Sequence, residues 1–199
     1  QILNKYKIIS VIDCTGHGVP GALLTFAVYS ILQNIIKSLN KFISCEEILN
    51  KLLLEFNLLY KKNKQSAESY AISLLILDTE NNLAHFNSVS QSIFHVSDNI
   101  GNEIKSSTSF LNDEKSAKDT IINFKKGDRF YLYSDGYFDQ KSELTKKRLY
   151  KSELFKQINN SLNLSLLDQK MFLSNYFNDY KGNLEQLDDV TFILLEIGY

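Results

Sequence analysis

The chain has 199 residues, 44% of them hydrophobic and 23% charged, which fits one globular domain spanning 1–199 rather than a disordered or collagen-like polymer. Its 22 basic and 23 acidic residues leave a net charge of −1, so no global attraction to nucleic acid or to an anionic membrane is expected. No uninterrupted apolar run reaches the roughly 18 residues of a membrane span, and no signal-peptide layout is present. The first residue is Gln1 rather than Met, which points to a segment of a longer protein. Cys14 and Cys45 are too few for a disulfide framework and fit a reducing, cytoplasmic setting. One proline and eight glycines are few enough that each is expected to be placed for a reason.

Residues 6–12 (YKIISVI) are β-branched and apolar and read as a buried strand. The strand runs into Asp13-Cys14-Thr15-Gly16-His17-Gly18-Val19-Pro20-Gly21, which holds three of the glycines and the only proline. Apolar residues are so dense over 22–39 that a deeply buried helix is expected, with Pro20 placed in its tolerant first turn. Ser44 and Glu47 make a capping-box pattern for a second helix, whose face carries Ile48, Leu49, Leu52, Leu53 and Phe56. Lys61, Lys62 and Lys64 read as its solvated basic end. Strands are expected at 70–77, 83–87, 92–97, 120–124, 129–134 and 189–197, with a hairpin turn around Asp98-Asn102 and a loop on to 120. A polar loop follows Asp135-Gly136 to about Tyr150, then helices at 151–160 and 166–180. Ser165 with Asp168 caps the latter, and Gly182 stops it. The links between strands are mostly too short for helical crossovers, so the sheet is expected to be mainly antiparallel with segregated helices.

Asp13, Asp135 and the pair Asp188-Asp189 each adjoin a strongly apolar strand. Strand ends from distant parts of a chain can converge, and carboxylates gathered there suit a hard divalent cation such as Mg²⁺ or Mn²⁺. Taken singly, each aspartate reads first as a turn former, and only their joint occurrence in three similar settings raises the metal reading level with it. The Gly16-His17-Gly18 stretch before a helix could cradle an anion or be a plain tight turn. It lacks the lysine and spacing of a P-loop, and His17 is not assigned as a metal ligand. His85 and His95 read as strand residues, and neither cysteine has a Cys-x-x-Cys partner for zinc or redox chemistry. Lys125-Lys126 and Lys146-Lys147-Arg148 read as solvated turns, with docking of a phosphoprotein as the alternative.

Three motifs occur in a telling order: Asp13-Cys14-Thr15-Gly16-His17-Gly18-Val19-Pro20-Gly21-Ala22; Gly127-Asp128 before a strand ending Ser134-Asp135-Gly136-Tyr137-Phe138-Asp139-Gln140; and Asp188-Asp189-Val190-Thr191. Over about 6–197 the chain resembles the SpoIIE-like branch of the metal-dependent PPM (protein phosphatase 2C-like) serine/threonine phosphatases. That resemblance implies an α+β fold, a four-layer α-β-β-α sandwich of two mainly antiparallel sheets flanked by helices. It implies that Asp13 bridges two Mn²⁺ or Mg²⁺ ions, that the Cys14 carbonyl ligates one, and that Asp135 and Asp188 hold the other. Metal-activated water would then hydrolyse phosphoserine or phosphothreonine. The implied role is the output domain of a bacterial signalling protein. Its substrate would be a phosphorylated regulator such as an anti-sigma-factor antagonist, and an upstream sensor domain would lie in the same chain. The segment would be cytoplasmic, alone or as part of a membrane-anchored receptor. The chain departs from the family pattern at Ala71, where relatives often carry an acid, and over Ser88-Val89-Ser90-Gln91-Ser92. The family's Gly-Asp element one strand earlier would precede Gln1, so the metal site is expected to be incomplete in this segment. The alternative reading is therefore a PPM-fold regulatory or protein-binding module with impaired turnover.

Overall fold

The computed structural model describes residues 5–16, 18–60, 70–105 and 118–198. Its elements in chain order are β1 (Tyr6–Cys14), α1 (Gly18–Lys37), α2 (Cys45–Tyr60), β2 (Tyr70–Asp78), β3 (Leu83–Val89), β4 (Ser92–Ser97) and β5 (Ile100–Lys105). There follow β6 (Thr120–Asn123), β7 (Arg129–Tyr133), α3 (Gly136–Asp139), α4 (Lys151–Asn160), α5 (Leu166–Lys181) and β8 (Phe192–Glu196). Contacts group them into two compact units, Gln1–Ser92 with Lys105–Asn123, and Ile93–Ile104 with Phe124–Tyr199.

The first unit is a four-stranded sheet in the order β1-β2-β3-β6, antiparallel throughout, with α1 and α2 packed on it. Strand pairing puts directly opposed residues on one face. The face bearing Ile72, Leu74 and Ile76 of β2 meets Leu24, Val28, Ile31 and Ile35 of α1 and Ile48, Leu52 and Phe56 of α2. Burying each such side chain contributes about 1.5–3 kcal/mol. The Ser44–Glu47 capping box forms as expected: the Glu47 N–H donates to Ser44 Oγ at 3.1 Å and the Ser44 N–H to Glu47 Oε2 at 3.2 Å. Asp119 completes the cap from far along the chain, accepting from the Cys45 and Glu46 N–H groups at 2.8 and 2.7 Å.

The expectation of a deeply buried first helix is corrected. One face of α1 is core, but Val19, Leu23, Phe26 and Tyr29 are 53–73% exposed. A single sheet surface covers only one face of a helix, and α1 is apolar on nearly all sides. By length and composition α1 could cross a membrane, yet its Leu24–Ile35 face belongs to the core of its unit. The Lys61, Lys62 and Lys64 cluster lies outside the described residues, as do His17 and residues 106–117 of the loop expected before β6.

The second unit is a four-stranded sheet in the order β5-β4-β7-β8, packed with α4 and α5 through Phe94, Tyr131, Tyr133, Leu154, Ile158, Leu173 and Phe177. Asp98 and Asn99, both with positive φ, make the two-residue turn that a right-twisted hairpin needs between β4 and β5. At the far end of β7, Asp128 accepts from the Lys125 N–H at 3.1 Å and lies 3.2 Å from His95 Nε2. His95 stacks on Phe130. Gly127-Asp128 is thus an anchor for β4 and β7. The loop expected from Asp135 to Tyr150 is more ordered than its polarity implies: it contains α3 and a Lys141–Arg148 bridge.

Candidate functional site

Asp13 and Cys14 are the last two residues of β1, half-buried, and pair across the sheet with Ala71 and Tyr70. Asp13 therefore shares its sheet face with a methyl group. Burial pushes the Cys14 thiol above its ordinary range, the Asp13 charge adds to this, and a Thr25 hydrogen bond opposes it. Beyond Cys14 the chain turns through Gly16 at φ +98°, a conformation glycine adopts without strain. It closes on Gly21, where a Cβ would lie 2.7 Å from the Gly16 carbonyl oxygen. Thr25 Oγ1 donates to the Gly21 carbonyl at 3.0 Å, so the glycine box is a tight entry into α1.

In the second unit the segment carrying Asp135 is bonded to and packed against the segment carrying Asp188. Ser134, 2% exposed at the end of β7, donates its N–H to the Thr191 carbonyl at 2.9 Å and its hydroxyl to the Asp189 carbonyl at 3.0 Å. Its oxygen accepts the Thr191 N–H at 2.9 Å. Gly136 follows, so close to this segment that a Cβ would collide with the Asp189 carbonyl and stand 3.2 Å from that of Asp188. Gln140, fully buried, clamps the approach: Oε1 accepts the Leu187 N–H at 3.1 Å and Nε2 donates to the Glu185 carbonyl at 3.2 Å. Asp188 keeps its carboxylate at the surface, with Oδ1 accepting the Asp189 N–H at 2.8 Å. Asp135 is likewise exposed.

Sequence reasoning named the aspartates and gave no role to Ser134 or Gln140, although both stand inside the motif. A serine and an uncharged amide look alike whether buried or solvated, so only their hydrogen bonds reveal them. Among the described residues no three His, Cys, Asp or Glu side chains are grouped closely enough to hold a metal. The donor chemistry of Asp135 and Asp188, two exposed carboxylates on neighbouring segments, fits a hard divalent cation.

Two antiparallel sheets, each with its own helices, and aspartates at strand ends define the fold class of the PP2C-type phosphatase domains. The chain belongs to the SpoIIE family: the model of Stage II sporulation protein E matches residues 4–198. Among solved structures, the SiaA-PP2C domain of Pseudomonas aeruginosa is similar at a TM-score of 0.84 and 22% identity, covering 97% of this chain and 78% of that one. The PP2C phosphatase domain of SpoIIE from Bacillus subtilis, solved with a fragment of its regulatory domain, has a TM-score of 0.71 and 16% identity over 96% of this chain and 57% of that one. The catalytic domain of the serine/threonine phosphatase PstP, in complex with two manganese ions, has a TM-score of 0.62 and 12% identity over 94% and 85%. At these identities the likeness shows the fold, and this chain spans little more than half of the SpoIIE structure. No curated protein matches the sequence.

Proposed function

We propose that this chain is a metal-dependent phosphoprotein phosphatase acting on phosphoserine or phosphothreonine, the output domain of a bacterial signalling protein. The observation that supports the reading is the tie that Ser134, Gly136 and Gln140 make between the segments carrying Asp135 and Asp188, in a chain that matches the family along its length. Asp135 and Asp188 in the second unit, and Asp13 and the Cys14 carbonyl in the first, are each proposed as ligands for Mn²⁺ or Mg²⁺. Such ions, when bound, polarise phosphoryl oxygens and acidify water. The chain's own contribution is to orient: Ser134 and Gly136 fix Asp135 against the Asp188 segment, and Gln140 fixes the approach to Asp188. A cysteine nucleophile is disfavoured, because Cys45 is fully buried and burial, with the Asp119 charge, pushes its thiol far above the ordinary range.

The regulatory-domain fragment solved with the SpoIIE relative supports an upstream sensor domain; the phosphorylated regulatory partner, such as an anti-sigma-factor antagonist, is proposed from membership of the SpoIIE family. A cytoplasmic location is proposed from cysteine usage, Cys14 and Cys45 both being free thiols that suit a reducing compartment. One observation favours the second reading, a regulatory module without turnover: Ala71 offers no carboxylate opposite Asp13. Phosphate release from a phosphoserine peptide in Mn²⁺ distinguishes the two. Asp135→Asn and Asp188→Asn should each lower the rate by at least about 100-fold, the scale reached by losing even an outer-shell partner of a metal ligand. Undiminished rates in both would overturn the phosphatase reading.

A further inference from the structure

The turn between α3 and α4 gathers charge that the chain as a whole lacks. Residues 141–148 carry Lys141, Lys146, Lys147 and Arg148 against one acid, Glu143, in a protein of net charge −1. Arg148 is engaged, its Nη1 3.1 Å from Asp139 Oδ2, whereas among the described residues no carboxylate lies within ion-pair distance of Lys141, Lys146 or Lys147, and Lys146 feels the Glu143 charge only at longer range. All three lysines are exposed, and Leu144 at the tip is 91% exposed.

A merely solvated loop needs little scaffolding, and this one has much. Ser142 Oγ accepts the Leu144 and Thr145 N–H groups at 3.2 Å each, and the Ser142 N–H donates to the Lys147 carbonyl at 2.9 Å. Tyr180 Oη lies 3.0 Å from both the Lys147 and the Arg148 carbonyls, and Glu143 accepts from the Asn183 N–H and Nδ2 at 3.1 and 3.0 Å. The turn is also tied to the segments that hold the aspartates: the Tyr150 N–H donates to the Phe138 carbonyl at 2.9 Å, and Gln140 at its start clamps 185–187.

We propose that this basic turn is the specificity element for the protein substrate, with Lys141, Lys146 and Lys147 pairing with carboxylates that flank the phosphorylated residue and Leu144 seating an apolar side chain between them. The inference rests on the phosphatase reading and names the substrate class, an acidic phosphopeptide segment. Three lysines held on a fixed frame complement such a segment, and exposed pairs of this kind together correspond to about tenfold in affinity.

The test uses two fluorescent phosphoserine peptides, one flanked by glutamates and one by lysines, with EDTA present so that binding is read without turnover. Anisotropy should show the acidic peptide bound about tenfold tighter by this chain, an advantage that fades in high salt. The triple variant Lys141→Gln/Lys146→Gln/Lys147→Gln should lose that advantage while hydrolysing p-nitrophenyl phosphate with Mn²⁺ at the unaltered rate. Equal binding of the two peptides, or a preference that survives in the triple variant, overturns the inference. Tighter binding of a single-stranded RNA or of anionic vesicles than of the acidic peptide overturns it as well. Absence of p-nitrophenyl phosphate hydrolysis alongside an intact acidic preference would instead sink the phosphatase reading and leave the docking element standing.

Discussion

A Cβ placed on Gly136 would stand 2.9 Å from the Asp189 carbonyl carbon and still closer to its oxygen, and both partners are backbone that cannot swing aside. Gly136→Ala is therefore expected to destabilise by about 1–3 kcal/mol, the cost of overpacking. A thermal melt should show a drop of roughly 3–10 °C, and an unchanged melting temperature would contradict the packing described. Gln140→Ala tests positioning rather than bulk. It strips the Leu187 N–H and the Glu185 carbonyl of their partner, so phosphopeptide turnover should fall about 10–100-fold. Normal turnover in that variant would show that the approach to Asp188 holds itself.

The N-terminus of α2 is satisfied by two side chains from well-separated parts of the sequence, Ser44 locally and Asp119 from a remote segment. Ser44→Ala should cost about 1 kcal/mol, the usual worth of a cap. Asp119→Ala should cost more, about 2 kcal/mol. It releases the Cys45 and Glu46 N–H groups together and also the Asn87 amide, 3.3 Å from Asp119 Oδ1. Urea melts of the two variants would rank them, and the reverse order would refute the remote cap. At the start of α4, Tyr150 sits at φ +66°, which disfavours any residue bearing a Cβ. Tyr150→Gly should raise stability by up to about 1 kcal/mol after the entropy cost of glycine. A loss would mean the ring contributes more than its 59% exposure indicates.

At the scale of the molecule, acid sensitivity follows from three carboxylates that, among the described residues, are held below their ordinary values. Asn183 N–H groups lower Glu143, and Gln157 leads the hydrogen bonds that lower Glu153. For Asp78, burial pulls upward but is outweighed by Asn81 and the Glu80 N–H. Depressed acids stabilise the folded state fully above their unfolded values, near pH 4–4.5, and that stability is lost as pH falls through the folded ones. The melting temperature should therefore hold steady down to about pH 5 and decline below about pH 4, and a flat profile to pH 3 would contradict it.

Much of the architecture was legible in the residues because it is local. Alternating β-branched runs, the Ser44–Glu47 and Ser165–Asp168 boxes, and the glycine box each act within a few residues, and the structure realises them near the expected bounds. The single exposed face of α1 was not legible, since burial depends on how much sheet surface exists to cover a helix. Nor was the Gln140–Tyr150 turn, whose polar residues form bonds to Tyr180 and Asn183 some 30 to 40 positions away. By itself the sequence determined most of the strands and helices, though neither β5 nor α3, together with the family motifs and the identity of the candidate aspartates, because periodicity, capping and motif spacing are short-range. Only the tertiary structure decided that Ser134, Gly136 and Gln140 tie the segment carrying Asp135 to the segment carrying Asp188 and that the basic turn is braced. Those roles are made by hydrogen bonds and close packing between residues far apart in the chain.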